Sequence, residues 1–272
     1  MSALAEPGPE GRAVRPAPLS AWLRGVLIHG AFFLAVIGTY SLALVLDPGL
    51  RRFLPTIGEL LQALAGLAVD PQFWSGVGAT AKAAGLGLAI SMVGGSLVAL
   101  LLATSTRVYD SARFLIDFLR TIPPLALIPV GLLLLGPTTR MEVTLIVASA
   151  VWPVVLQVYY GIVHLDPKYL ETARSYRVGR LLQIVFIVAP GVAPSFGTAF
   201  RLAASMTLLL AVGTELLAGS DGLGFLIGWY QQARRLPEMY ATIIVVGVLG
   251  IALNAAIRSA ERRLFAWAEE TR

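Results

Sequence analysis

Residues 166–180 read DPKYLETARSYRVGR, a charged stretch followed by an apolar run that ends at Pro190. It separates two long apolar segments in a chain with few other polar stretches. Asp166 suits the cap of a first helical turn, and Pro167 suits the first helical position. Gly179 can end such a helix in a left-handed conformation. The stretch therefore predicts a short helix at the membrane face, and we expect a molecule outside the bilayer to bind it.

The composition places the chain in a membrane. Of its 272 residues, 57% are hydrophobic and only 14% are charged, proportions that do not fit a soluble domain. Spans of about 20 residues with short loops use up this length and leave no room for a soluble catalytic domain. We therefore expect an all-α integral membrane protein with a single membrane domain.

Metal and nucleic-acid binding are not expected. The chain has no cysteine and only two histidines, His29 and His164, which are too few ligands for a metal centre. The net charge of +5 comes from basic residues grouped in particular loops, without interleaved aromatic residues. This pattern favours orientation in a membrane over binding to nucleic acid.

Six apolar runs have the length of membrane spans. They cover residues 25–46, 76–103, 114–135, 143–162, 192–217 and 240–257. The resulting organisation has a proline-rich, disordered arm at 1–24, a transmembrane domain at 25–263 and a tail at 264–272. The polar loop at 164–190 lies between the fourth and fifth spans.

Positive charge predicts the orientation. If the six spans alternate, both termini and the loop at 164–190 lie on the side that carries most of the basic loop residues. The other side receives only Arg51, Arg52, Arg140, Arg234 and Arg235. By the positive-inside rule, the termini and the loop are cytoplasmic.

Small side chains recur at every fourth residue of the second span, at Gly87, Ser91, Gly95, Ala99 and Ala103. Such a stripe lets another helix approach closely. Two interpretations stay open: packing within the chain, or a subunit contact that also walls a transport pathway.

Thr121-Ile122-Pro123-Pro124 interrupts the third span. Two prolines remove backbone donors and disfavour helix before them. The freed carbonyl groups must face protein or a wet cavity. The break is either a lining of a transport pathway or a packing kink.

Charged side chains within spans need partners or water, and Lys82, Arg201 and Glu215 are of this kind. Arg201 and Glu215 lie about 20 Å apart along one helix and so cannot pair with each other. By position, the candidate pathway residues are Lys82, Thr121, Gln157, Arg201 and Thr207.

The sequence carries no phosphate-binding loop, no zinc-binding helix motif and no nucleophile elbow. The chain is therefore not expected to be an enzyme by itself. A transporter of this kind takes its energy from a partner or from an ion gradient.

The loop resembles the EAA signature of permease subunits of bacterial ATP-binding-cassette (ABC) importers. The match rests on Glu171-Thr172-Ala173, followed at the proper interval by Ile187 and Pro190. An ordered set of further motifs is similar to the nitrate, sulfonate and taurine branch: 54–56, 120–129, 152–153, 190–194, 214–215 and 222–227. Two residues depart from the family pattern, Arg177 at a usual glycine and Thr172 at a usual alanine.

The resemblance implies the type I importer permease fold and a homodimeric pore in the bacterial plasma membrane. It also implies two cytoplasmic ATPase subunits, which use ATP and magnesium, and an extracytoplasmic solute-binding protein. This chain itself would bind no cofactor. Its cargo would be a small solute, an anion such as nitrate, a sulfonate or taurine, moved by alternating access.

The resemblance also assigns contact with the ATPase to the loop. The residues are Leu170, Glu171, Thr172, Ala173, Arg174, Ser175, Tyr176, Arg177 and Gly179. Leu170, Ala173 and Tyr176 or Arg177 would form the socket face, with Glu171 and Arg174 as its polar rim. A different role for the basic residues is to anchor the loop to anionic lipid.

Two other classes of protein stay open as alternatives. An ion-gradient-driven secondary carrier needs intramembrane acids and usually an internal repeat, and Glu215 is the single clear acid. A membrane enzyme needs a catalytic cluster, which the two separated histidines do not provide.

Overall fold

A computed structural model describes the backbone of residues 19–264, and the side chains of residues 30–263 other than Phe33. Residues 1–18 of the predicted arm and 265–272 of the predicted tail lie outside the described residues. The first helix begins at Leu19, so helical structure starts within the stretch predicted to be disordered.

Most of the described residues lie in helices joined by short turns. The first helices are α1 (Leu19–Leu46), α2 (Ile57–Val69), α3 (Pro71–Leu102), α4 (Thr106–Thr121) and α5 (Ile128–Leu135). They are followed by α6 (Thr139–Val163), α7 (Pro167–Ser175), α8 (Arg180–Gln183), α9 (Ala189–Ala218), α10 (Leu223–Gln232) and α11 (Leu236–Leu264). Residues 19–264 contain no strand, which confirms the all-α prediction.

The number of membrane spans agrees with the sequence. Within the described residues, four helical segments are long and apolar enough to cross a bilayer, and the number rises to six if two bent helix pairs each count as one span. The four segments contain α3, α6, α9 and α11. The prediction of about six spans is confirmed in these terms.

The chain divides into two compact units, residues 1–57 and 58–272. The described part of the first unit consists of α1 and the turn that follows it. In that turn the Asp47 carboxylate accepts a hydrogen bond from the Gly49 amide at 2.8 Å. The Tyr40 hydroxyl donates to the Pro55 carbonyl at 2.6 Å and so closes the segment.

The core of the second unit is formed by α3, α6 and α9, which pack against one another in all three pairs. The small residues of α3 make this packing close. A Cβ atom on Gly95 would lie 2.8 Å from Val154 Cγ1 and 3.0 Å from the Val151 carbonyl oxygen, and one on Gly87 would collide with Ile146. Of the two interpretations of the stripe, packing within the chain is therefore confirmed at Gly87 and Gly95.

Gly95→Ala is expected to destabilise the protein by about 1–3 kcal/mol, because the added methyl forces α3 and α6 apart. The matched control is Gly94→Ala, where the methyl would enter open space. Alanine has a higher helix propensity than glycine, so Gly94→Ala should leave the free energy of unfolding unchanged or raise it by up to about 1 kcal/mol. Thermal unfolding of the two purified variants in detergent compares them. Equal midpoints would contradict the packing account.

The third span is broken at the predicted place, between Thr121 and Pro124, but it starts at a different residue from the one expected. α4 begins at Thr106, earlier than expected, and the chain bends by 78° between Thr121 and Pro124. Ile122 and Pro123 are both extended, as expected next to consecutive prolines. α4 is also strongly amphipathic, with five charged residues, unlike an ordinary span.

α9 connects two distant ends of the second unit. Leu165, just before α7, packs directly onto Gly191 at the start of α9, where an added Cβ atom would meet the end of the Leu165 side chain. Glu215 lies near the other end of α9, roughly 36 Å away at 1.5 Å per residue. α10 follows after a short turn and packs against α9, α3 and α11. α7 and α10 therefore lie at opposite ends of α9.

Candidate functional site

The charged loop contains the short helix that the sequence predicted. The Asp166 carboxylate accepts a hydrogen bond from the Lys168 amide at 2.9 Å, and Pro167 is the first residue of α7. Both parts of the predicted helix start are thus confirmed. α7 lasts only nine residues, to Ser175.

The end of α7 differs from the prediction. Arg177, not Gly179, takes the left-handed conformation, with φ of 52°. The Val178 amide donates to the Ala173 carbonyl and the Arg177 amide to the Arg174 carbonyl, both at 2.9 Å. These two bonds form a Schellman motif, which requires a left-handed residue two positions after the last helical one. Gly179 has φ of −61° and instead begins α8.

Arg177→Gly is expected to stabilise this turn by about 0.5–1 kcal/mol, because glycine removes the left-handed strain at a smaller entropic cost. Hydrogen exchange of the Val178 amide should become slower. The control Arg174→Gly lies inside the helix and should weaken it by about 1 kcal/mol. Faster exchange at Val178 in Arg177→Gly would show that the arginine side chain itself holds the turn.

The two faces of α7 have different surroundings. Ala173 is buried and Leu170 is half-buried, so these two side chains face the chain itself. This differs from the expectation that both lie on the face presented to an ATPase. Tyr176 is 80% exposed, and the rest of the predicted contact set is exposed as well: Glu171, Thr172, Arg174, Ser175, Arg177 and Gly179. Tyr169, with 63% exposure, adds a second aromatic ring that the sequence interpretation left out.

The turn after α7 is fastened to the helix that follows. The Gln183 side-chain amide donates to the Val178 carbonyl at 2.7 Å. From Ile184 to Val188 the helix widens into a π-helical segment before it continues as α9. Leu165, packed onto Gly191, fixes the other side of the loop. α7 is therefore an exposed helix attached at both of its ends to the beginning of α9.

An open groove of about 620 Å³ lies beside the break of the third span. Its polar and aromatic lining consists of Arg120, Thr121, Ser149, Trp152, Gln157 and Tyr160. These residues come from the end of α4 and from one face of α6. The groove brings a guanidinium, an amide and hydroxyl groups together, which are groups that donate hydrogen bonds to an anion.

Two of the five predicted pathway residues, Thr121 and Gln157, line this groove. The other three do not. Lys82 is exposed on α3, and Thr207 is buried with its hydroxyl donating to the Ala204 carbonyl at 3.0 Å. Arg201 forms an ion pair with Glu261 of α11 at 3.3 Å. A role in the pathway for all five stays a prediction.

Arg120, Ser149 and Tyr160 line the groove but were not among the predicted residues. Arg120 forms an ion pair with Asp117 at 3.1 Å, and half of its side chain remains exposed. Its position in the sequence, directly before Thr121 at the proline break, could have identified it as a candidate pathway residue. Ser149 and Tyr160 carry no local signal, because only the packing of α6 turns them towards the groove.

Arg201 and Glu215 contact different partners, as expected. Arg201 pairs with Glu261, whereas the Glu215 carboxylate accepts hydrogen bonds from Thr80 and from the Gly224 amide. The expectation that Arg201 and Glu215 do not pair with each other is confirmed.

Comparison with known proteins identifies the family to which this chain belongs. Residues 91–266 match the family described as the binding-protein-dependent transport system inner membrane component. The match extends over well more than half of the chain and includes α7 and all the helices around the groove. The chain belongs to this family. It is a multi-pass inner-membrane permease, a membrane component of a transporter and not its catalytic subunit.

The permease is similar to three named transport proteins. It is 26% identical over 185 residues to the nitrate import permease protein NrtB of Leptolyngbya laminosa, covering 68% of the permease and 66% of the relative. It is 25% identical to the putative aliphatic sulfonates transport permease protein SsuC of Bacillus subtilis, over 96% and 94% of the two chains. The taurine transport system permease protein TauC of Escherichia coli is 24% identical, over 79% and 80%.

A solved structure shows the same fold. The permease superposes with a TM-score of 0.63 on a chain of a bacterial alginate ABC transporter, crystallised with an alginate pentasaccharide-bound periplasmic protein. The match covers 91% of the permease and 96% of that chain at 15% identity. The predicted type I ABC importer permease fold is confirmed.

Proposed function

We propose that the permease forms the pathway of an ATP-driven importer for a small anion, with α7 as the contact for a separate cytoplasmic ATPase. The observation that carries the proposal is α7 itself. It is a short, capped helix whose tyrosines and charged residues are exposed, and it is attached at both ends to the long helix α9. A force applied to α7 therefore acts directly on the membrane core.

The relatives and the groove together support an anion as the proposed cargo. The relatives are named for nitrate, aliphatic sulfonates and taurine, which all carry an oxyanion group. The groove offers Arg120 and the Gln157 amide, and this amide makes no hydrogen bond to another described residue. A guanidinium beside free donors is suited to a nitrate or sulfonate group.

The assembly is proposed from the family. The groove is open along the outside of one chain, so a second copy can close it into a pathway. The full importer then holds two permease chains, two ATPase subunits that use ATP and magnesium, and an extracytoplasmic solute-binding protein. By the positive-inside rule, the basic loop residues support a cytoplasmic position for α7 and for both termini.

The test is disulfide crosslinking, because the chain has no native cysteine. Ser175→Cys lies on the exposed part of α7 and should crosslink to a cysteine in the ATPase groove, with a yield that changes on adding nucleotide. The control Gln231→Cys is exposed on α10, at the opposite end of α9, and should not crosslink.

Uptake by proteoliposomes that contain the whole importer completes the test. Transport of nitrate or a sulfonate should require ATP on the side of the vesicle membrane that corresponds to the cytoplasm. It should also require the solute-binding protein on the opposite side. Absence of the Ser175 crosslink, with uptake that continues without ATP and follows an ion gradient, would replace the proposal with a secondary carrier.

A further inference from the structure

The side chain of Glu215 is fully buried near the end of α9 and joins three helices. Its Oε2 atom accepts hydrogen bonds from the Thr80 hydroxyl of α3 at 2.9 Å and from the Gly224 amide of α10 at 2.8 Å. The Thr80 oxygen in turn accepts from the Leu223 amide at 2.9 Å. Glu142 of α6 is buried next to the Glu215 carboxyl, so all three core helices reach this point.

The start of α10 depends on these side chains. Gly222 occupies the capping position and has no side chain to offer. The first two helical amides, of Leu223 and Gly224, are instead satisfied by Thr80 and Glu215. A carboxylate at this position also interacts favourably with the positive end of the helix dipole. α10 is therefore capped by other helices and not by its own sequence.

The fit around the carboxylate leaves no space for adjustment. A Cβ atom on Gly222 would collide with the Glu215 carboxyl, and one on Gly224 would collide with the Val212 carbonyl of α9. Leu223 is fully buried as well. The beginning of α10 is thus fixed to the end of α9 by close contact and by hydrogen bonds.

The same helix carries α7 at its beginning. The irregular parts of this helical run, the π-helical segment at Ile184–Val188 and Pro194 within α9, both lie on the α7 side. The part of α9 from Ser195 to Ala218 contains no proline and is α-helical throughout. This regular part of α9 can therefore carry a displacement from the α7 end to α10, provided that α10 stays fixed to α9.

We propose that Glu215 and Thr80 are positioning residues that lock α10 to α9 and α3, so that movement of α7 displaces α10 at the far end of the pathway. The inference rests on the proposed function, because it takes α7 as the contact for the ATPase. In addition to α7, α10 then moves during transport, because the hydrogen bonds of Glu215 and Thr80 hold it to the core helices.

The first experiment measures the lock itself by hydrogen exchange in the assembled importer. Thr80→Val keeps the shape of the side chain but removes the hydroxyl, and the amides of α10 should exchange about tenfold faster because a buried hydrogen bond is lost. Thr80→Ser keeps the hydroxyl and should leave exchange as in the native chain. Thr80→Ala removes the hydroxyl without a branched replacement, and serves if the valine variant does not fold. Unchanged protection of α10 in both variants without the hydroxyl would overturn the proposal.

The second experiment measures transmission. A cysteine at Gln231, on the exposed side of α10, is labelled with a membrane-impermeant thiol reagent with and without nucleotide. The labelling rate should change severalfold on adding nucleotide in the native and Thr80→Ser backgrounds, and should not change in Thr80→Val or Thr80→Ala.

The Ser175 crosslink separates the two kinds of failure. If the crosslink forms and responds to nucleotide but the Gln231 labelling change persists in the variants without the hydroxyl, the lock does not transmit movement and the inference is wrong. If the crosslink is absent in the native chain, the proposed function is wrong and the transmission proposal with it.

Discussion

Gly224→Ala is expected to lower sharply the amount of folded permease that the membrane contains. The added Cβ atom would collide with the Val212 carbonyl oxygen and lie 2.7 Å from the Leu216 amide nitrogen, and both of these are backbone atoms of α9. Backbone within a helix cannot move aside without separating α10 from α9. We expect a loss of about 3 kcal/mol or more, at the upper end of overpacking effects. Yield and thermal midpoint of the detergent-purified protein measure it.

Gly228→Ala is the matched control for this change. It lies one turn further along α10, and its added methyl would lie 3.2 Å from the end of the Leu216 side chain and 3.8 Å, an ordinary contact distance, from the Leu216 carbonyl oxygen. A flexible side-chain end can shift, so this variant should keep a yield close to that of the native chain. Equal behaviour of the two variants would mean that α10 is not held against α9 as described.

Arg120→Gln is expected to lower anion uptake by about tenfold to a hundredfold, because a fold-change of this size corresponds to the free energy of one hydrogen bond to a charged group. The change removes the only guanidinium among the described residues that line the groove. Arg120→Lys keeps the charge but not the planar fork, and should fall between the native and glutamine proteins. Uptake into proteoliposomes at several anion concentrations separates weaker binding from slower turnover.

Arg113→Gln is the control for the loss of charge. Arg113 also lies on α4 and also approaches Asp117, at 3.8 Å, but it does not line the groove. Because an exposed ion pair contributes little, this variant should transport almost as well as the native chain. The Ser175 crosslink should persist in both variants. Equal uptake by the two glutamine variants would place the anion pathway elsewhere.

The coupling loop shows how far local reasoning reaches. The start of α7 was predictable, because a cap such as Asp166 followed by Pro167 acts within one turn of helix. Its end was predicted at the wrong residue. Glycine favours the left-handed conformation by about 1–2 kcal/mol over other residues, yet Arg177 adopts it because the Schellman bonds from Val178 and Arg177 fix the turn.

The groove was predicted only in part for a related reason. Thr121 and Gln157 were found because one lies at the proline break and the other is a polar residue within an apolar span. Lys82, Arg201 and Thr207 have the same sequence signal, but the structure places them on other surfaces or in the core. Polarity within a span indicates that a side chain needs a partner, and it does not indicate which one.

By itself, the sequence determined that this is an all-α membrane protein with about six spans, a broken third span and a short capped helix between the fourth and fifth. These features depend on the lengths of apolar runs and on contacts within a few residues. The tertiary structure decided the groove, the inward face of Ala173 and the capping of α10 by Glu215 and Thr80. Those two residues are 135 positions apart in the chain. Only the packing of α3 against α9 brings them within hydrogen-bonding distance, because no local preference specifies which helix faces meet.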